Sequence, residues 1–181
     1  GAAEGIVPTP VTDSTGNTYQ LTEDTDTLYG TSGNDFFNAE LGSLLNNGIS
    51  TLNSADYIDG QGGDDTLYAR VDGANGLEPT IVNVENIFFQ NQGAGDSTID
   101  ANRISLADGQ PLTLGSVNSR GNLTIEDVRH NSNETVIRFQ DADPGAGLTV
   151  LFNPKYIVAD DAVTTGSLYL QLIDTVGAAE A

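Results

Sequence analysis

The chain has 181 residues, and its 26 acidic against 6 basic side chains give a formal net charge of −20 at pH 7. This imbalance excludes nucleic acid and anionic membrane surfaces as partners, because both carry charge of the same sign, and no apolar run is long enough for membrane insertion. Cysteine is absent, so disulfides are excluded, and a bound cation is the cross-link that an acidic secreted chain has available.

Residues 1–20 are predicted to form an extended arm or linker. Pro8 and Pro10 lie among threonine and serine residues, and proline fixes an extended backbone that lacks an N–H donor. The same stretch also suits a strand that pairs with a neighbour. We expect the chain to be a module of a longer protein, since its first residue is not methionine.

Residues 21–70 carry the most specific pattern in the chain. The nine residues from Gly60 to Tyr68 match the template G-G-x-G-x-D-x-U-x, where U is a large aliphatic residue, at every fixed position except Gln61. The nine residues from Gly30 to Asn38 form a second, more degenerate copy thirty positions earlier. Glycines permit open turns whose carbonyls point at a cation, and the aspartate adds an anionic oxygen.

Two further nine-residue segments, 21–29 and 51–59, precede these copies in the same phase and keep only the carboxylate and the apolar residue. If residues 39–50 loop out, alternate turns align, which pairs Asp35 with Asp65 and Asp26 with Asp56. The alternative is that these are plain β-turns, which the same residue types favour. The candidate calcium ligands are Gly30, Ser32, Gly33, Asp35, Gly60, Gly62, Gly63, Asp65, Asp26 and Asp56.

These turns resemble the RTX (repeats-in-toxin) family of secreted calcium-binding proteins. The stretch Ile81–Ile87, with its Val-Glu-Asn core, resembles a junction that follows calcium turns in large RTX-like surface-layer proteins and adhesins. The resemblance covers Tyr19 to Phe89, about half of the chain. It implies a parallel β-roll in which Ca²⁺ lies between the loops of turns i and i+2, and an extracellular location at a bacterial cell surface.

Residues 71–181 are predicted to be rich in β-strands, because short apolar alternations are separated by glycine, proline and aspartate turns. We favour an all-β chain in which a parallel β-solenoid continues the calcium roll, since a new rung then stacks on an existing one. A β-sandwich is the alternative for this half. Strands are predicted over 79–89, 98–106, 112–117, 123–128, 135–140, 148–152 and 167–173.

The expected function is that of a non-catalytic, calcium-stabilised structural module of a secreted bacterial cell-surface protein. It would be a surface-layer-like or filament-forming subunit, or an adhesin segment, whose partners are further copies or neighbouring domains. The alternative is a calcium-dependent carbohydrate-binding module, or an accessory domain of a secreted enzyme. Five aromatic residues could stack on a glycan, although core packing is the role expected for most of them: Tyr68, Tyr156, Tyr169, Phe88 and Phe89.

One set of residues resembles a catalytic motif. Gly95-Asp96-Ser97 followed by Asp127 and His130 resembles a family of serine esterases, which present the serine on a strand-to-helix turn of an α/β scaffold. Both pieces lie among predicted β-strands here. We therefore predict that the chain is not an enzyme.

Overall fold

The computed structural model describes residues 15–40, 50–93, 95–107, 109–129, 134–154 and 168–173, the last of these by their backbone. These residues form β-strands and no α-helix, and none of their segments is a helix long and apolar enough to cross a membrane. The strands are β1 (Thr15–Gln20), β2 (Thr27–Tyr29), β3 (Asn34–Ala39), β4 (Tyr57–Asp59), β5 (Thr66–Val71), β6 (Thr80–Val82), β7 (Asn86–Asn91), β8 (Ser97–Asp100), β9 (Ile104–Ser105), β10 (Leu112–Val117), β11 (Leu123–Val128), β12 (Thr135–Gln140), β13 (Leu148–Phe152) and β14 (Leu168–Ile173).

The strands wind into a parallel β-solenoid with three sheets. A seven-stranded sheet, here called the long sheet, has the order β1-β3-β5-β7-β10-β12-β14. Along the amino-terminal half it faces a four-stranded sheet, β2-β4-β6-β9, and along the carboxy-terminal half a three-stranded sheet, β13-β11-β8. Each turn of the chain thus adds one strand to the long sheet. The prediction of a β-solenoid is confirmed in both halves, and the described residues do not form the alternative β-sandwich.

The core is a set of side-chain ladders between the sheets. Alternate residues of each strand point inward, so parallel registry stacks similar side chains on successive rungs. The central ladder of the long sheet shows this, because its aromatic and aliphatic residues are in register and its members beyond the first strand are buried. It consists of Tyr19, Phe37, Leu67, Ile87, Leu114 and Ile137.

Four predicted strands, over 112–117, 123–128, 135–140 and 148–152, match β10 to β13. The single strand predicted over 79–89 is wrong, because the chain turns a corner between β6 and β7. Asn83 takes a left-handed conformation there, with φ 51°, which asparagine tolerates better than most residues. The strand predicted over 98–106 is likewise divided into β8 and β9. The leucines of residues 40–45 also predict a short helical turn, and this prediction falls almost entirely outside the described residues.

Candidate cation site in the stacked turns

The register of the strands brings the predicted aspartates together in two columns. In the long sheet Phe36 pairs with Thr66, so Asp35 and Asp65 occupy equivalent places on adjacent rungs. In the four-stranded sheet Thr27 pairs with Tyr57, which places Asp26 beside Asp56 in the same way. Alternate turns are thus aligned, as the thirty-residue spacing predicts.

The first column is a ladder of carboxylates bound by backbone N–H groups. The N–H of Asp35 donates to Asp65 Oδ1 at 2.7 Å, and the N–H of Asn17 donates to Asp35 Oδ1 at 2.6 Å. One rung further on, the N–H of Asp65 donates to Glu85 Oε2 at 2.8 Å. Each carboxylate therefore accepts a hydrogen bond from a backbone N–H of the rung before it. Glu85 is the third carboxylate of this column, and the sequence pattern did not identify it.

One oxygen in this ladder has no partner. Asp65 has an exposed fraction of 0%, and its Oδ2 is buried without a hydrogen bond among the described residues. In the preceding turn the N–H of Thr31 donates to Asp35 Oδ2 at 2.5 Å. In the Gly60 turn the corresponding residue is Gln61, whose N–H donates to Asp59 Oδ1 at 2.9 Å instead. The one mismatch with the nonapeptide template is thus the residue that leaves Asp65 Oδ2 open.

The electrostatics of the ladder favour a bound cation. The pKa of Asp65 is raised to about 7, mainly by burial and also by the neighbouring carboxylates Glu85, Asp35 and Asp64, against the bond from the Asp35 N–H, which lowers it. Burial also raises the pKa of Asp56 above its ordinary value. A carboxyl group with a pKa near neutrality is held in an environment that disfavours its charge, and a cation reverses that balance.

The glycines of these turns leave room for oxygen atoms of neighbouring rungs. A Cβ on Gly60 would overlap the carbonyl oxygen of Asn83 and Oδ2 of Asp65. A Cβ on Gly30 would overlap the carbonyl oxygen of Gly60 and lie 2.5 Å from Asp35 Oδ2. Carbonyl and carboxylate oxygens therefore gather where side chains are missing, and hard oxygen ligands of this kind suit Ca²⁺.

The remaining predicted ligands differ in how far the fold requires them. Gly63 has φ 132°, and a Cβ there would overlap the carbonyl oxygen of Gly33, which itself approaches Thr15 closely. Gly62 has open space around the position of a Cβ, and Ser32 is exposed in its turn. Close approach of successive rungs thus explains Gly33 and Gly63, whereas Gly62 is not required for steric reasons.

In the second column, the carboxylates of Asp26 and Asp56 already accept hydrogen bonds from the turns around them. The N–H of Asp26 donates to Asp56 Oδ1 at 2.8 Å, and the N–H of Asn53 donates to Asp56 Oδ2 at 2.7 Å. The N–H and hydroxyl of Thr22 both donate to Asp26. These carboxylates are bound as in ordinary aspartate turns, so this column fits a cation less well than the first.

The residues present fit a calcium ion at Asp65 better than a transition metal. Among the described residues, no group of three or more histidine, cysteine, aspartate or glutamate side chains converges as metal ligands do. A cation beside Asp65 Oδ2 would therefore take backbone carbonyls of the glycine turns as its further ligands. Calcium accepts such mixed carbonyl and carboxylate sets, whereas zinc prefers nitrogen and sulfur.

The serine of the esterase-like set lies in a strand and is bound to a neighbouring turn. Ser97 is buried in β8, and its hydroxyl accepts the N–H of Ala74 at 3.2 Å. His130 lies outside the described residues. The serine thus holds the turn between β5 and β6 to the three-stranded sheet.

The fold and this site define an acidic parallel β-solenoid with stacked carboxylate turns. Comparisons of the chain with protein-family models, with curated proteins and with solved structures find no match.

Proposed function

We propose that the chain is a non-catalytic structural module of a secreted bacterial cell-surface protein, and that Ca²⁺ bound at the Asp35 and Asp65 turns stabilises it. One observation carries the proposal: Oδ2 of Asp65 is buried without a partner in a column that also holds Asp35 and Glu85. A buried carboxylate oxygen without a partner is costly, and a cation is the ligand that relieves that cost.

The mechanism is a coupling of folding to the cation. Without metal, ionisation of Asp65 is opposed by burial and by the neighbouring carboxylates. With metal, the same oxygens cross-link turns that lie on successive rungs. At a calcium concentration about 10–100 times the dissociation constant, one site adds roughly 1.4–2.7 kcal/mol to the free energy of unfolding. Such a chain would fold fully in the calcium-rich exterior rather than in the cytoplasm.

The biological setting is proposed from the resemblance to RTX-like surface-layer proteins and adhesins, together with the solenoid. A solenoid is a one-dimensional structure, since each rung contacts mainly its neighbours, and this suits a spacer or an assembling subunit. The chain would be a surface-layer-like or filament-forming subunit, or a segment of an adhesin. Calcium-dependent growth in light scattering supports a subunit, and a monomer at every calcium concentration supports the adhesin segment.

The deciding experiment is thermal unfolding followed by circular dichroism, in calcium and in chelator. We expect calcium to raise the midpoint of the wild-type chain and to leave that of the double variant Asp35→Ala/Asp65→Ala unchanged. Asp24→Ala, which removes a carboxylate from an exposed part of the neighbouring turn, is the matched control and keeps the calcium response. An equal midpoint for the wild type in calcium and in chelator contradicts the proposal.

A further inference from the structure

The two stacked turns that carry Asp35 and Asp65 treat their carboxylates differently. In the turn of Asp35, the residue after the first glycine is Thr31, and both its N–H and its hydroxyl donate to the carboxylate of Asp35. In the turn of Asp65 the equivalent residue is Gln61, whose N–H and side-chain amide both donate elsewhere. The first turn therefore closes on its own carboxylate, whereas the second leaves Oδ2 of Asp65 buried and open.

The backbone conformation at this position separates the two turns. Gln61 is left-handed, with φ 69°, and Thr31 is not among the residues with a positive φ. Because φ is the rotation about the N–Cα bond, the N–H of Gln61 points in another direction from that of Thr31. A β-branched residue is rarely found at positive φ, whereas glycine, the residue of the nonapeptide template, adopts it readily. The open turn is thus accessible to glycine and glutamine but not to threonine.

The left-handed backbone of Gln61 is held by its neighbours. Its N–H donates to Asp59 Oδ1 at 2.9 Å, and its Nε2 donates to Asp59 Oδ2 at 2.8 Å. On the next rung, Asn83 Nδ2 donates to Asp59 Oδ1 at 3.0 Å. We call Asp59, Gln61 and Asn83 the turn lock. A residue other than glycine needs such support at positive φ, and the carboxylate of Asp59 supplies it from both oxygens.

The turn of Asp35 has no equivalent of Asp59. The register of β2 and β4 pairs Tyr29 with Asp59, so a tyrosine with an exposed fraction of 56% occupies the place of the carboxylate. A phenol ring offers no carboxylate to hold the N–H of Thr31, which bonds to Asp35 instead. Asp59 therefore occurs together with the open turn, and Tyr29 with the closed one.

We infer that Gln61, held by Asp59 and Asn83, is the positioning residue that keeps the turn of Asp65 open for a cation. An N–H directed at Asp65 Oδ2 would satisfy that oxygen and occupy the space in front of it. The turn lock holds the N–H away before any ligand is bound, so the open oxygen is preorganised. The inference deepens the proposed function and rests on it for the identity of the cation. It makes Asp65, rather than Asp35, the carboxylate ligand of the ion.

The test combines calcium titration calorimetry with thermal melts of the full chain in chelator. In Gln61→Thr, the backbone should leave the left-handed region, and the N–H and hydroxyl should donate to Asp65 as those of Thr31 donate to Asp35. We expect calcium affinity to fall by about tenfold or more, and the midpoint in chelator to rise by about 3 °C. A merely structural defect would lower the midpoint as well as the affinity. Gln61→Gly, which keeps the left-handed backbone, is the matched control and should bind calcium like the wild type.

A gain of function tests the turn lock without altering the turn of Asp65. The double variant Tyr29→Asp/Thr31→Gln places the same pair of residues beside Asp35, one rung earlier. We expect calorimetry to show one additional bound calcium ion per chain. Tyr29→Asp alone adds the same charge while Thr31 still closes the turn, so it is the control and should keep the wild-type stoichiometry. An additional ion in this control would show that charge alone creates the site, which would overturn the inference.

The outcomes separate this inference from the proposed function. A folded Gln61→Thr chain that binds calcium like the wild type overturns the inference, and so does a Gln61→Gly chain that loses calcium as fully as Gln61→Thr. If the wild type binds no calcium while Gln61→Thr raises the midpoint in chelator, the proposed calcium function fails and the turn lock stands. If the wild type binds calcium and Gln61→Thr changes neither quantity, the proposed function stands and the turn lock fails.

Discussion

At the start of each strand of the long sheet, the amino-terminal rungs hold Asp35, Asp65 and Glu85, whereas the next two rungs hold Leu112 and Thr135 in the same column. Leu112 and Thr135 are both buried. The same backbone position therefore accepts an apolar or a hydroxyl side chain. The fold itself does not require the carboxylates that occupy this column in the first half. Among the described residues, the carboxylate side chains that are fully buried, and with them the proposed cation site, lie in the amino-terminal half.

One corner of the carboxy-terminal half, between β7 and β11, satisfies its polar groups with neutral ones. The side-chain amide of Asn91 donates to the carbonyl oxygens of Gly95 at 2.7 Å and Asn122 at 2.8 Å. The N–H of Asn91 donates to Ser119 Oγ at 2.9 Å, and the hydroxyls of Ser116 and Ser119 share a hydrogen bond of 2.7 Å. We call this group the neutral corner; it consists of Asn91, Gly95, Ser116, Ser119 and Asn122. None of these side chains is charged, so we expect the stability of the neutral corner to be independent of calcium.

The largest expected effect comes from closing the oxygen-lined space of the amino-terminal half. In Gly60→Ala the new methyl group would overlap the carbonyl oxygen of Asn83 and Oδ2 of Asp65, so backbone must move on adjacent rungs. We expect a loss on the order of 4 kcal/mol in the free energy of unfolding, measured in calcium by urea denaturation.

Gly62→Ala is the matched control for this substitution. It lies in the same turn, and a Cβ there meets nothing within 4 Å. We expect its free energy of unfolding to stay within about 0.5 kcal/mol of the wild type. A Gly60→Ala chain as stable as Gly62→Ala would contradict the close packing of oxygen atoms at Gly60.

The next effect is the pH dependence of Asp65. Its pKa in the folded chain is about 7, above the ordinary value of 3.8. Between these two pH values, the folded state therefore holds a proton that the unfolded state has released. In chelator, this group therefore stabilises the fold fully below about pH 4, and that contribution is lost as the pH rises through about 7. We expect the loss to be about 3 kcal/mol, after allowing for screening by solvent at the turn.

The variant Asp65→Asn isolates this contribution, because it keeps the shape of the side chain without the titration. In chelator, its free energy of unfolding should equal that of the wild type near pH 4 and exceed it near pH 8. The variant should also lose the calcium response of the melt. Parallel pH profiles for the two chains would show that Asp65 is not the titrating group.

The features of this structure that depend on residue spacing could be predicted from the sequence. Alternation identified β10 to β13, and the thirty-residue spacing aligned Asp35 with Asp65, because both signals are local or strictly periodic. Glu85 was not predicted as part of this column, because it follows Asp65 by only twenty residues and lies in a run of β-branched residues typical of one strand. The corner at Asn83 depends on a left-handed residue that the same run conceals.

Other features needed the register of the sheet. The mismatch at Gln61 is visible in the sequence, but its effect on Asp65 Oδ2 depends on where one N–H points. Of the aromatic residues suggested for a glycan, Tyr68 and Phe88 point outward from the long sheet, whereas Phe89 is buried in the core.

The smallest effect tests the neutral corner of the carboxy-terminal half. Asn91→Leu removes two donors and leaves the carbonyl oxygens of Gly95 and Asn122 without them, which should cost about 2 kcal/mol in the free energy of unfolding. Asn75→Ala, on an exposed turn, is the control and should cost almost nothing. Thermal melts of Asn91→Leu in calcium and in chelator should differ by as much as those of the wild type, because its amide belongs to a corner without buried charge. If Asn91→Leu abolished the calcium response, the two halves would form one cooperative unit in which the cation also stabilises the neutral corner.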